Sequence, residues 1–248
     1  MDKPQELDII EMPFEGLAAY WLSIKKILDT RKGRAILDEE IAGAEEPFIL
    51  HVLETGFSDL DSPRIRRLTE AKKAVILEDI TRKLDLMRLA VRAIASGENP
   101  SMTLVRMDGL FSRPPMPERK AMDMANAMFD AIRPKGVDLS ILLTVNHKVP
   151  VDRLLVKLLF YVMYARREGV GALERFMPHL GSRFFAEGVA LAMDNFESGF
   201  LDGHMTSVRD MTLVETARKM DMALEMALGV RDKLDYEDVF RIARAYMP

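Results

Sequence analysis

The chain reads as an all-α protein of two related helical modules, each with short helices packed on a long helix, in an elongated arrangement. Three observations predict this. Glycine and proline punctuation cuts the 248 residues into helix after helix. No stretch alternates apolar and polar residues as a half-buried strand would. The order of elements in the second half repeats the order in the first.

A first helix is expected from about Pro13 to Lys32, because Leu17, Tyr20, Trp21, Ile24, Ile27 and Leu28 share one face at helical spacing. Gly33 marks its end. Two short helices follow, RAILDEEIAG and EPFILHVLETGF. At Asp61-Ser62-Pro63 a capping side chain precedes a proline at the first helical position, which starts a helix. From there Ile65, Leu68, Val75, Ile76, Ile80, Leu84, Met87, Val91 and Ile94 carry an apolar stripe to Gly97, about 35 residues and roughly 50 Å long. Residues 98–118, with four of the twelve prolines, read as a connector. One more helix follows in PERKAMDMANAMFDAIRP, then the loop PKGVDLS and a short apolar piece, ILLTV. The chain restarts at Pro150 with a helix through Arg167, short helices, a long helix from about Leu201 to Lys233, and a last one in DYEDVFRIARAYM. The expected division is module one over 1–97, a Pro- and Met-rich connector with one helix over 98–136, and module two over 137–248.

The two halves also match residue by residue. One ungapped offset of 136 pairs Gly33 with Gly169, Arg31 with Arg167, Leu37 with Leu173, Asp38 with Glu174 and Phe48 with Phe184. It then lays TRKLDL at 81–86 on ARKMDM at 217–222, matching Arg82, Lys83 and Asp85 with Arg218, Lys219 and Asp221. The period is too long for the usual helical repeat arrays, so a duplicated module is the reading.

Composition narrows the function classes. With 48% hydrophobic and 30% charged residues the chain is an ordinary globular one, and a net charge of −4 argues against a dedicated nucleic-acid binder. Without cysteine there can be no disulfide, thiolate metal site or cysteine nucleophile, which fits a reducing compartment. The start, MDKPQELDIIEMPFEG, lacks the pattern of a signal peptide, so a cytoplasmic protein is expected. The longest apolar run, LLVKLLFYVMYA at 154–165, is broken by Lys157 and is shorter than the roughly 20 residues that span a bilayer. No transmembrane helix is expected.

No familiar catalytic constellation emerges. His51, His147, His179 and His204 are scattered, and none follows a glutamate at the spacing of a helical di-iron site. GVGALE at 169–174 starts like a dinucleotide loop but lacks the third glycine and follows a helix. The expectation is therefore no catalytic residue, no metal and no cofactor, with His51 and Glu54 on a helix surface. Charge is uneven: residues 1–61 hold fourteen acids against six bases, and 62–92 nine bases against four acids. The basic stretch reads as a solvated face that also complements the acidic first segment. Met102, Met107, Met116, Met122, Met124 and Met128 read as core filling beside the connector.

KLLFYVMYARREGVGALE, followed by FFAEGVALAMDNFESGFL, resembles the cytoplasmic loop of the MotA family of flagellar stator subunits, and more broadly MotA/TolQ/ExbB-like proteins. An apolar helix, Ala-Arg-x-x-Gly and then Leu-Glu carry the likeness, and TRKGRAILDEEI with EEPFILHVLETGFSDLDSPRI repeats it more weakly. About half the chain is covered. Family members span the membrane with four helices and this sequence offers none, so ion conduction does not carry over. What the resemblance implies is a cytoplasmic contact surface for a FliG-like rotor protein, its charges falling on Arg166 and Glu174. Repeat one has Thr30 and Asp38 in those places. Eight residues apart with a glycine between them, Arg166 and Glu174 are expected to act as separate charges.

The expected function is a non-catalytic protein-interaction module, with a homo-oligomer left open. A regulatory helical protein serving another partner, or a helical enzyme with a site between its modules, are the alternatives.

Overall fold

The computed structural model describes residues 7–30, 33–132 and 139–247, with backbone alone at 33 and 34. Among them every regular element is helical: α1 (Phe14–Leu28), α2 (Gly33–Gly43), α3 (Pro47–Gly56), α4 (Ser62–Ser96), α5 (Pro100–Asp108), α6 (Glu118–Ala131), α7 (Leu139–Leu143), α8 (Val151–Glu168), a 3₁₀ segment (Val170–His179), α9 (Arg183–Met193), α10 (Ser198–Arg231) and α11 (Tyr236–Tyr246). No helix among the described residues is long and apolar enough to cross a membrane.

Local chemistry explains most boundaries. The α3 N-cap is Glu46, whose carboxylate accepts from the Ile49 N–H at 2.7 Å, with Pro47 at the first helical position. Asp61 caps α4 in the same way, accepting from the Arg64 N–H at 2.9 Å. One expectation fails here: the start of the supposed connector is the helix α5. Asn99 accepts from the Ser101 N–H at 3.0 Å and Pro100 follows it, so a cap and a proline begin a helix amid residues that otherwise read as loop. The first helix stops at Leu28 rather than Lys32, where Asp29 receives the Lys25 ammonium at 2.8 Å; Arg31 and Lys32 lie outside the described residues. The loop expected after Pro134 also falls largely outside them.

The chain forms two compact units, one from residues 1–78 with 212–248 and one from 79–211, whose borders fall within α4 and α10. The module borders proposed from the sequence divide the chain by repetition, whereas these units divide it by packing.

In the first unit α1 packs on α2 and on α11. Trp21, Leu17, Ile24, Phe48, Ile49 and Leu53 are almost fully buried, and Ile65 meets Leu224 and Leu228 under Leu60. The two long helices join through Arg66 with Glu225 and through Lys73 with Asp221 at 2.6 Å. Lys219, only 2% exposed, donates to the Ile10 carbonyl at 3.0 Å and pairs with Glu215 at 2.7 Å.

In the second unit α8 is the central element, packed against α5, α6 and the 3₁₀ segment. The end of α4 crosses α9 at Gly188, where a Cβ would lie 2.6 Å from Val91 Cγ2, so only glycine permits this approach. Asp85 pairs with Arg209, and Arg88 with Asp202. Lys83, 8% exposed, donates to the His147 carbonyl and pairs with Asp79, both at 2.7 Å. Of the α4 bases, Arg66, Lys73 and Arg88 pair with Glu225, Asp221 and Asp202 of α10, and Arg64 pairs with Asp61 of the acidic first segment.

Candidate interaction surface

The joint between α8 and the 3₁₀ segment rests on an aromatic floor. Apolar residues surround so much of α8 that Leu154, Leu155, Leu158, Leu159, Phe160 and Tyr161 are all fully buried, and neighbours must cover it on several sides. Phe160, Tyr161 and Tyr164 meet Phe176 of the 3₁₀ segment at ring-centroid separations of 5.9, 6.0 and 4.8 Å, and Phe129 of α6 stacks on Tyr164 at 5.8 Å. These lie in the favourable range for offset and edge-on rings. The Tyr161 hydroxyl donates to the Leu143 carbonyl at 2.9 Å, and burial raises its pKa.

Lys157, the residue that interrupts the apolar run in the sequence, donates to the Ile141 and Thr144 carbonyls at 3.0 and 2.9 Å. It closes carbonyls that the short α7 leaves unpaired at its end. Burial, and secondly Arg153, lower its pKa.

Above this floor α8 has to stop. The Gly169 N–H donates to the Ala165 carbonyl at 2.9 Å, and the residue takes φ 91° and ψ 152°, a conformation that a side chain would strain. The charges at the joint then divide into two kinds. Arg167 pairs with Glu168 at 3.1 Å and lies 5.3 Å from the Phe129 ring centroid, and Arg175 lies 4.9 Å from that of Phe176. Arg166, at the end of α8, and Glu174, in the 3₁₀ segment, are exposed, and among the described residues neither makes an ion pair or a side-chain hydrogen bond. They are not joined to each other. The joint presents a cation and an anion to solvent from a firmly packed base. Such charges steer encounter and set register while contributing little affinity each.

At the positions 136 residues earlier, Thr30 is turned back, its hydroxyl donating to the Ile27 carbonyl at 2.7 Å, while Asp38 is exposed on α2. His51 is half-buried on α3, and among the described residues its Nε2 has no hydrogen-bond partner. Its pKa is lowered by burial first and by Lys72 second. Among the described residues no three His, Asp or Glu side chains gather as metal ligands would. Of the connector methionines, Met107, Met116 and Met128 are buried, as core filling requires, while Met102 and Met124 are 51% and 41% exposed.

A second exposed group escaped the sequence reading. Phe196 and Phe200 are 44% and 53% exposed. The spacing of Phe200 and His204 on α10 was the available signal, since residues four apart share a helix face, with Phe196 just ahead of that helix.

No protein-family model matches the chain, and no curated protein and no solved structure matches it significantly.

Proposed function

We propose that this is a non-catalytic interaction protein of two exchanged helical repeats, which engages a protein partner through the α8–3₁₀ joint of its second repeat. The observation that carries the reading is the division of charges at that joint: Arg167 and Arg175 are engaged within the fold, whereas Arg166 and Glu174 are left for a partner.

The repeat is supported by element positions. Moved by 136 residues, the first residues of α3, α4 and α5 (47, 62 and 100) fall on those of α9, α10 and α11 (183, 198 and 236). The caps correspond as well. Ser182 accepts from the Phe185 N–H as Glu46 does from Ile49, and positive φ recurs at Gly97 (64°) and Lys233 (59°). Ion pairs correspond with partners exchanged: Lys73–Asp221 matches Arg209–Asp85, and Lys219 with Glu215 matches Lys83 with Asp79, the carbonyls they reach, Ile10 and His147, lying one residue away from that offset. Each compact unit therefore combines the short helices of one repeat with the end of the other repeat's long helix.

The partner class rests on the likeness of Ala165-Arg166 through Gly169 and Leu173-Glu174 to the MotA cytoplasmic domain. That likeness nominates a FliG-like rotor protein and a cytoplasmic setting, and leaves ion conduction out. Binding of a FliG-like protein to the full chain should weaken on Arg166→Glu and recover in part when an opposing partner charge is reversed. Binding that ignores Arg166→Glu removes the site. An affinity capture that repeatedly returns other proteins, and no motor component, replaces the partner while keeping an interaction role.

A further inference from the structure

We infer that Phe196, two residues ahead of α10, and Phe200, on its first turn, form a docking surface for an arginine-rich segment of a protein partner. The inference is independent of Arg166 and Glu174. Geometry comes first. Phe196 and Phe200 stack at a centroid separation of 5.4 Å and an interplanar angle of 25°, and Phe200 stacks on His204 at 6.1 Å and 8°. His204 Nε2 lies 2.8 Å from Glu187 Oε1 on α9, which fixes the foot of this ladder.

A defined turn holds the ladder outward. Asn195 takes φ 61°, its N–H donates to the Ala192 carbonyl and the Phe196 N–H to the Leu191 carbonyl, both at 3.2 Å, closing α9 with a left-handed cap. The matching position in repeat one is Leu60, and it is packed against the core of Ile65, Leu224 and Leu228. Repeat one covers this position and repeat two exposes it.

Charge selects the occupant. From Phe184 to Val208 the sequence has four acids, Glu187, Asp194, Glu197 and Asp202, and no lysine or arginine; the matching stretch of repeat one, 48–72, has four acids and four bases. Asp202 is engaged by Arg88, whereas Asp194 and Glu197 are exposed beside Phe196. A guanidinium satisfies both features at once, since it stacks on an aromatic face and pairs with carboxylates. An anionic bilayer would be repelled by the same rim.

The test uses the full chain and a fluorescein-labelled peptide of alternating arginine and alanine, read by anisotropy. Binding should weaken about tenfold or more on Phe200→Ala, as for a buried aromatic anchor. It should also weaken on Glu197→Lys and on replacing arginine by lysine in the peptide, while Arg166→Glu and Glu237→Lys leave it unchanged. Equal loss on Glu197→Lys and Glu237→Lys would mean diffuse charge attraction and overturn the site. So would unaltered binding by Phe200→Ala, or a self-association or vesicle binding that Phe200→Ala abolishes, since a second copy or a lipid surface would then occupy the ladder.

Discussion

Lys219 in one compact unit and Lys83 in the other perform the same task with different neighbours. Each is a nearly buried lysine on a long helix, pairs with an acid one turn earlier, and donates to a backbone carbonyl ahead of a buried helix: Ile10 before α1, and His147 before α8. Lys219 additionally lies 5.6 Å from the Phe14 ring centroid. The ends of α3 and α9 behave otherwise. Leu60 folds onto the core, while the left-handed turn at Asn195 turns Phe196 to solvent. If the proposed duplication holds, the contrast teaches where the two copies share a plan and where they differ. Buried polar contacts that close a unit occur in both places, whereas the segments that enter α4 and α10 differ in charge and in aromatic content.

Substitutions can break or sharpen that comparison. The largest effect is expected at the α4–α9 crossing: Gly188→Val should cost about 3 kcal/mol, because overpacking would push Val91 and Met205 aside. Gly56→Ala, whose added Cβ would meet Ala227 Cβ at 3.8 Å, should be tolerated in the other unit. Urea unfolding of the two variants measures the difference, and equal loss would remove the distinction. Next come Lys219→Met and Lys83→Met, each expected to cost about 1–3 kcal/mol because a carbonyl loses its buried donor.

The smallest effect concerns His51. Its folded-state pKa lies below the ordinary 6.5, so the unfolded chain takes up its proton first as pH falls. Stability present above 6.5 is therefore lost as pH drops through the lower folded value. His51→Gln should flatten that acid-side decline in thermal melts, and an unchanged slope would refute the assignment.

Much of the fold was legible because its signals are local. Asp61-Ser62-Pro63 marks the start of α4, and the stripe from Ile65 to Ile94 marks its length. Asn99-Pro100 carries the same kind of signal, but the prolines at 114, 115 and 117 and the nearby glycines outweighed it, and α5 was missed. The offset of 136 residues was readable from identities at Lys83 and Lys219. Which carbonyls those lysines reach was not, since that depends on tertiary packing. At the candidate surface, Arg166, Gly169 and Glu174 could be named from sequence. That Arg167 and Arg175 would be drawn over Phe129 and Phe176, leaving Arg166 free, depends on where those rings lie in space.

Hydrogen exchange on the two lysine variants tests the exchanged-repeat account most directly. It predicts that Lys219→Met loosens the backbone around Ile10 and the start of α1, and that Lys83→Met loosens the segment around His147 and the start of α8. Loosening confined to the repeat that carries the substituted lysine, with α1 still protected in Lys219→Met and α8 still protected in Lys83→Met, would contradict it.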